Sequence, residues 1–182
     1  MTDGAIAPPL RLRLGSADET RRLAARLGQT LRAGDVIGLT GPLGAGKTTF
    51  VQGLAAGLGV SSERHVASPT FALVNEHPGR VDLVHVDLYR VRSEAELPEL
   101  GLAEAYDRAA TAIEWAERFP ECLPEDALHI RLEVEAADGR ILHARGSGPR
   151  GETLVRWLAQ AMERSASEPS CRVSTPASRR AR

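Results

Sequence analysis

The octapeptide at residues 41–48 constrains the fold of this chain more than any other segment. It reads Gly-Pro-Leu-Gly-Ala-Gly-Lys-Thr and fits the phosphate-loop pattern G-x-x-x-x-G-K-[ST] without a mismatch. A short apolar run at 35–40 precedes it, and apolar residues at helical spacing follow it as far as Gly57 and Gly59. This order of strand, loop and helix predicts a nucleoside triphosphate site, because backbone N–H groups and the helix N-terminus converge there on an anion.

The polar side chains of the motif have expected roles. Lys47 is expected to reach the β- and γ-phosphates, and the hydroxyl of Thr48 is expected to ligate Mg²⁺. The glycines, beginning with Gly41, allow the backbone to approach the phosphates closely.

Composition limits the classes of protein that this chain can represent. Its 182 residues, 42% of them hydrophobic, suffice for one domain with a sizeable core. The formal net charge of -1 provides no electrostatic attraction between the folded domain and nucleic acid or an anionic membrane. Any association with RNA is therefore expected to be mediated by a partner protein. Cys122 and Cys171 support neither a disulfide framework nor a zinc site. With no leader-like start and no apolar run of membrane-spanning length, the chain is predicted to be soluble and cytoplasmic.

The predicted organisation is a flexible N-terminus at 1–10, a P-loop domain at 11–164 and a disordered basic tail at 165–182. The tail is rich in Ser, Pro and Arg and has almost no large apolar residues. It therefore cannot bury enough surface to offset its ordering entropy. Contact with RNA is the alternative to a solvated tail.

Periodicity and turn residues predict the remaining elements. Pro78 and Gly79 suit the central positions of a type II turn at 77–80, and Asp138-Gly139 suits another tight turn, so each is expected to close a β-hairpin. Helices are predicted after the capping boxes at 16–19 and 93–96, the second limited by Pro98 and Gly101. Two more helices are expected at 102–108 and 152–163. Strands are predicted at 35–40, 71–75, 81–86, 109–115, 128–135 and 140–145.

A triphosphate site also needs an acidic group that holds the metal or its water shell, usually at the end of a neighbouring strand. Asp87 follows an apolar run, as a Walker B carboxylate does; the alternative is a strand-end Asp that caps the next segment. Glu114 also follows an apolar run, where a buried charge needs a partner or a metal. Its alternative is a salt bridge to Arg118.

Other polar and aromatic residues near these motifs are candidates with two interpretations each. Thr70 lies where GTPases place a Thr that senses the γ-phosphate, or else in a hydroxyl-rich turn. Arg90 is a phosphate clamp or an ion-pair partner, and Trp115 belongs to the core or to a contact surface. Three histidines share no metal-ligand spacing and are interpreted as structural: His65, His77 and His85.

Five motifs stand in the order typical of one family. They are GPLGAGKTTF at 41–50, SPTF at 68–71 with the following Leu-Val, HVDLYR at 85–90, LGL at 100–102 and IEW at 113–115. Over roughly residues 14–157 the chain resembles the TsaE (YjeE) family, small bacterial ATPases of the pathway that makes threonylcarbamoyladenosine in tRNAs. The ordered set is far more specific than the phosphate loop alone.

The resemblance implies an α/β, P-loop NTPase-like fold of three layers, in which a mixed sheet that includes β-hairpins is flanked by helices. It also implies ATP hydrolysis that requires Mg²⁺ and is weak in isolation. The implied cofactors are ATP and Mg²⁺, and the implied partners are TsaD and TsaB. tRNA is expected to be reached indirectly, through that complex, and no membrane is involved.

By position, Thr48 and Glu114 match the family's Mg²⁺ ligands, and Asp87 matches its essential carboxylate and is a further candidate ligand. Lys47 is expected to neutralise γ-phosphate charge while one carboxylate orients water. Asp18 matches the region near the adenine. The stretch that matches the phosphate-binding loop comprises Gly44, Ala45, Gly46, Lys47, Thr48 and Thr49. The chain departs from the family at Pro42, where an acidic residue is frequent and where proline removes one N–H donor.

Two other functions are compatible with a phosphate loop. A small-molecule kinase would need an Arg-rich lid, and no such segment is visible in the sequence. In a nucleotide-switched binding module, hydrolysis would be incidental and the surface around Trp115 would bind the partner.

Overall fold

The protein is described by a computed structural model, which covers residues 9–135 and 138–167. Most of the predicted N-terminal segment 1–10 and tail 165–182 therefore lies outside the described residues. The strands are β1 Leu10–Leu14, β2 Val36–Thr40, β3 Val74–His77, β4 Leu83–Asp87, β5 Ala110–Glu114, β6 Ala127–Val134 and β7 Arg140–Ser147. The α-helices are α1 Ala17–Gly28, α2 Lys47–Gly57, α3 Leu102–Arg108 and α4 Gly148–Ser167, and short 3-10 helices span Glu94–Leu100, Ala116–Arg118 and Pro120–Cys122.

All seven strands form one mixed sheet in the order β1-β7-β6-β2-β5-β4-β3. The four central strands, β6, β2, β5 and β4, are parallel to one another, whereas β3, β7 and β1 add antiparallel edges. The carboxyl ends of the central strands therefore meet at one edge of the sheet, where open α/β sheets bind their ligands.

Both faces of the sheet are apolar, and each packs into its own hydrophobic cluster. Within β2, Ile37 belongs to the cluster under α1, α2 and α4, whereas its neighbour Val36 belongs to the cluster under α3. In β5, Ala112 and Ile113 divide in the same way, since successive side chains of a strand point to opposite faces. Helices therefore cover the central sheet on both sides, and the predicted three-layer fold is confirmed.

Glycines bring α1 and α2 unusually close together. A Cβ built on Gly53 would lie 2.5 Å from the carbonyl oxygen of Arg21, and one on Gly57 would lie 2.0 Å from that of Ala25. Only glycine permits this approach, which seats the helix that follows the phosphate loop against α1. No helix in the described part of the chain has both the length and the hydropathy needed to cross a bilayer.

The hairpin of β3 and β4 is confirmed, but its first strand is Val74–His77 rather than 71–75, and its turn also differs from the prediction. The type II turn is wrong, because Gly79 does not adopt the positive φ that the turn requires. Its lack of a side chain serves close packing instead, since a Cβ would lie 2.7 Å from the carbonyl oxygen of Leu58. The backbone N–H of Arg80 donates to that same carbonyl at 2.7 Å, so the turn is held by the end of α2.

Two further local features differ from the sequence prediction. Strand β1 was not predicted, and it pairs antiparallel with β7. The capping box at Ser93 and Glu96 is present, but Pro98 lies inside the short 3-10 helix that follows rather than ending it. Gly101, with φ of 63°, ends that helix as expected.

Candidate functional site

A cavity of about 350 Å³ opens at the carboxyl ends of β2, β4 and β5. The phosphate loop follows β2, while Asp87 and Glu114 are the last residues of β4 and β5. These two acids are direct partners in the parallel register, which explains why residues far apart in sequence meet. The lining residues are Leu43, Gly44, Gly46, Lys47, Thr48, Thr49, Ser68, Thr70, Asp87, Tyr89, Glu114 and Trp115.

The phosphate loop takes its shape from three glycines with positive φ. Gly41, Gly44 and Gly46 have φ values of 129°, 76° and 100°. Gly46 is the residue that precedes α2, so the helix begins at Lys47 with its first N–H groups directed toward the cavity edge. Ala45 is fully buried and anchors the loop in the core. The predicted strand, loop and helix are therefore all present in the expected order.

Lys47 folds back over the loop and is only 5% exposed. Its Nζ donates to the carbonyl of Gly41 at 2.6 Å and to that of Pro42 at 3.1 Å, and it lies 3.6 Å from the centre of the Trp115 ring. Burial lowers the pKa of the Lys47 ammonium below its ordinary value, although neighbouring carboxylates act in the opposite direction. Lys47 is the only lysine in the sequence, and arginine supplies all the other long cationic side chains.

Glu114 connects the phosphate loop to strand β4. Its Oε1 accepts a hydrogen bond from the Thr48 hydroxyl at 2.8 Å and lies 2.9 Å from Nε2 of His85. The carboxylate is 3% exposed. Glu114 is thus held between a helix N-terminus on one side and a neighbouring strand on the other.

Asp87 organises the segment that carries Thr70. Its Oδ2 accepts hydrogen bonds from Ser68 and from Thr70, the latter at 3.3 Å, and its Oδ1 accepts from the backbone N–H of Tyr89 at 2.9 Å. The bond to Tyr89 also makes Asp87 a cap for the following turn, so both interpretations of this residue have a structural counterpart. Thr70 is thereby placed at the cavity wall.

The oxygen atoms around the cavity suit a hard divalent cation. Asp87 and Glu114 are nearly buried, and within the described residues neither forms a salt bridge with an arginine or lysine. Mg²⁺ prefers oxygen ligands and commonly binds through one or two carboxylates together with substrate phosphates. The donor set of Thr48, Glu114 and Asp87 fits that preference.

Trp115 adopts a left-handed backbone conformation, with φ of 61°, directly after Glu114. Its ring contacts that of Tyr89 at a centroid distance of 4.9 Å and packs under the Lys47 ammonium. A bulky residue with positive φ carries backbone strain, and such strain is concentrated at functional sites. Trp115 lines the cavity and also packs against the hydrophobic cluster under α3, so the core interpretation has a structural counterpart, whereas the contact-surface interpretation stays a prediction.

Three candidate residues lie elsewhere or have other partners. Asp18, in the first turn of α1, pairs with Arg21 at 2.7 Å and is not part of the cavity wall. Arg90 lies 4.3 Å from the centre of the Phe71 ring, which belongs to a side chain that is 84% exposed. Arg118 donates to the backbone carbonyls of Tyr89 and Val91 rather than pairing with Glu114.

Arg140 is a loop contact that sequence reasoning missed. From the first position of β7 its Nε donates to the carbonyl of Ala45 at 3.0 Å, and its Nη2 donates to that of Gly44 at 3.2 Å. The guanidinium therefore supports the outer side of the phosphate loop. In the sequence, the one signal was its place directly after the Asp138-Gly139 turn; its approach to the loop depends on the strand order β7-β6-β2.

Comparison with known proteins agrees with this geometry. The family model described as threonylcarbamoyl adenosine biosynthesis protein TsaE matches residues 14–142. The tRNA threonylcarbamoyladenosine biosynthesis protein TsaE of Treponema pallidum is 43% identical over 125 residues, which cover 68% of this chain and 90% of that protein. The protein of the same description from Bacillus subtilis is 37% identical over 153 residues, which cover 83% of this chain and 94% of that protein.

A solved structure is similar as well. The crystal structure of YdiB from Bacillus subtilis superimposes with a TM-score of 0.70 at 32% identity, covering 85% of this chain and 96% of that one. Residues 14–142, which the family model matches, include the phosphate loop, Asp87 and Glu114. The chain belongs to the TsaE family of threonylcarbamoyl adenosine biosynthesis proteins.

Proposed function

We propose that this protein is an ATP-binding, Mg²⁺-dependent ATPase of the tRNA threonylcarbamoyladenosine machinery, and that it supports repeated turnover of a TsaD–TsaB transferase complex. The observation that carries the proposal is the convergence of Lys47, Thr48, Asp87 and Glu114 on one cavity behind a phosphate loop. Membership of the TsaE family supplies the pathway.

Lys47 changes partners when a nucleotide binds. Its Nζ donates to the carbonyls of Gly41 and Pro42, and it would turn from them to the β- and γ-phosphates of a bound nucleotide. The fixed positive charge then offsets the charge that develops on the γ-phosphoryl group. The Trp115 ring lies 3.6 Å from this ammonium and contributes a cation–π contact.

Thr48 and Glu114, with Asp87 nearby, would hold Mg²⁺. When bound, this ion supplies neutralisation of phosphate charge. Asp87 holds Ser68 and Thr70 at the cavity wall, where Thr70 can respond to the presence of a γ-phosphate. One of the two carboxylates orients the attacking water.

Hydrolysis by the isolated protein should be weak. Among the described residues, no arginine lines the cavity. Arg118 and Arg140, the arginines considered for a role near the site, donate to backbone carbonyls. A missing arginine finger can lower the rate by about 10³-fold or more. We therefore assign completion of the site to the partner complex.

The test is nucleotide binding by calorimetry together with phosphate release, with and without Mg²⁺. Lys47→Ala should abolish ATP binding, whereas Glu114→Gln and Asp87→Asn should reduce Mg²⁺-dependent hydrolysis while leaving the fold intact. Arg131→Ala, an exposed side chain on a neighbouring strand, is the matched control and should behave as wild type. ATP binding by Lys47→Ala at wild-type strength would show that the site is assigned wrongly.

Measurements of phosphate transfer to an acceptor and of partner binding separate the other two functions. Transfer of phosphate to a small acceptor, in preference to water, would indicate a kinase. Partner binding that depends on nucleotide but is indifferent to hydrolysis would indicate a switch. If the isolated protein hydrolysed ATP as fast as it does with its partners, the hypothesis that TsaD and TsaB complete the site would be rejected.

A further inference from the structure

His85 is a fully buried histidine in the middle of β4, two residues before Asp87. Side chains two residues apart on a strand point to the same face of the sheet, so the side chains of His85 and Asp87 share one face of β4. The Nε2 of His85 lies 2.9 Å from Oε1 of Glu114. His85 does not line the cavity, so any effect that it has on the site is transmitted through Glu114.

The hydrogen-bond roles of this pair follow from its chemistry. A carboxylate can only accept, so Nε2 of His85 carries the hydrogen and donates to Glu114. Nδ1 is buried and, among the described residues, has no hydrogen-bond partner. The one bond that this side chain makes is thus directed at the candidate metal ligand.

Glu114 has few other restraints. Besides His85, the side-chain donor that reaches its carboxylate is the Thr48 hydroxyl, at 2.8 Å and 3.1 Å from its two oxygens. If Thr48 bound a metal ion instead, the contact with His85 would remain to fix the rotation of the Glu114 carboxylate. Groups that orient a metal ligand commonly contribute ten- to hundredfold in metal affinity.

We propose that His85 is a positioning residue that holds the carboxylate of Glu114 in its metal-binding orientation, and that it thereby sets the affinity for the divalent cation. This inference rests on the function proposed above. It assigns a task to a histidine whose spacing in the sequence indicates no metal site. A purely structural role would alter stability and leave the cation dependence unchanged.

The test uses the full-length chain and ADP, which is not hydrolysed. ADP affinity is measured by calorimetry at a series of Mg²⁺ concentrations, and Mn²⁺ binding to the ADP complex is followed by electron paramagnetic resonance. His85→Phe keeps a planar aromatic ring, somewhat larger than imidazole, and removes the donor, whereas His85→Gln places an amide N–H near the position of Nε2. Thr111→Val is the matched control, because Thr111 is a buried polar residue on the adjacent strand whose hydroxyl has no partner among the described residues.

His85→Phe should raise the Mg²⁺ concentration for half-maximal ADP binding by about tenfold or more, while metal-free ADP binding stays the same. His85→Gln should restore the value to within about threefold of wild type, and Thr111→Val should not change it. If His85→Phe does not fold, His85→Asn takes its place, because the side chain of Asn is too short to reach Glu114. It should show the same rise in the Mg²⁺ concentration for half-maximal ADP binding.

A folded His85→Phe or His85→Asn with wild-type cation dependence would overturn the positioning role. Failure of the proposed function has a different signature, because wild-type protein would then show no effect of Mg²⁺ or Mn²⁺ on ADP binding at all. A rise in the Mg²⁺ concentration for half-maximal ADP binding that is as large in His85→Gln as in His85→Phe would likewise contradict the proposal, since the hydrogen-bond donor would then not matter.

Discussion

The hydroxyl of Thr48 lies 2.8 Å from Oε1 of Glu114 and 3.1 Å from its Oε2, which joins the first turn of α2 to the last residue of β5. The bond spans 66 residues of sequence. It fixes the helix that presents the phosphate loop against the strand that presents the carboxylate. The geometry of the site therefore depends on the packing of the whole sheet edge.

Replacement of Thr48 should separate the role of its hydroxyl from that of its methyl group. Thr48→Ser keeps the hydroxyl and should retain Mg²⁺-dependent nucleotide affinity to within about threefold. Thr48→Val keeps the shape but leaves Glu114 without this donor, and it should weaken that affinity by about ten- to hundredfold. Calorimetric titration with ADP and Mg²⁺ measures both, and equal affinities for the two variants would contradict a role for the hydroxyl.

Arg140 should be required for tight nucleotide binding although it does not line the cavity. Arg140→Gln removes charged donors from the carbonyls of Gly44 and Ala45, so the phosphate loop becomes less ordered. We expect ADP to bind about tenfold more weakly, because a hydrogen bond from a charged group contributes about 1.5–3 kcal/mol. The matched control is Arg131→Gln, an exposed arginine on β6, and a similar loss in both variants would exclude a specific effect on the loop.

Alanine at Gly53 should destabilise the fold even though alanine favours helices. The added Cβ would lie 2.5 Å from the carbonyl oxygen of Arg21 and 2.6 Å from Cβ of Ala24, so α1 and α2 must move apart. Overpacking of this kind costs about 1–3 kcal/mol, which exceeds the gain of up to about 1 kcal/mol in helix propensity. Urea denaturation should give a lower midpoint for Gly53→Ala. In the control Ala56→Gly, at an exposed position of the same helix, alanine should be the more stable residue.

The thiol of Cys122 should react slowly with alkylating reagents. Burial, with a smaller contribution from Glu121, raises its pKa from 9.0 to about 11. Because the thiolate is the nucleophile, the rate at pH 8 should be about a hundredfold below that of an unperturbed thiol, and it should rise tenfold per pH unit up to about pH 11. The measurement uses Cys171→Ser and iodoacetamide, with the same chain in urea as reference. Equal rates in the native and denatured chains would show that this segment is not packed as described.

Features that depend on local chemistry could be predicted from the sequence. The phosphate loop, the helix at Leu102–Arg108 and the carboxylates at the ends of β4 and β5 follow from short patterns of glycine, apolar and acidic residues. Asp87 and Glu114 could be recognised because a charge directly after a buried strand needs a partner.

Features that depend on register between distant segments could not be predicted. Strand β1 is stabilised by pairing with β7, which begins more than a hundred residues later. Arg140 reaches Ala45 across 95 residues, and His85 reaches Glu114 across 29 residues, only because the strands adopt one particular order. Gly79 is a further example of a feature that the local sequence does not predict. Its backbone conformation depends on the close approach of the Leu58 carbonyl and not on the local turn pattern.

Reconstituted tRNA modification tests the central claim most directly. TsaD, TsaB, tRNA and ATP are combined with wild-type protein or with Lys47→Ala, and threonylcarbamoyladenosine formed per transferase complex is counted over time. Wild-type protein should sustain many rounds, whereas Lys47→Ala should allow about one, because the phosphate loop loses the cation that binds the β- and γ-phosphates. Repeated turnover with Lys47→Ala equal to wild type would contradict the account.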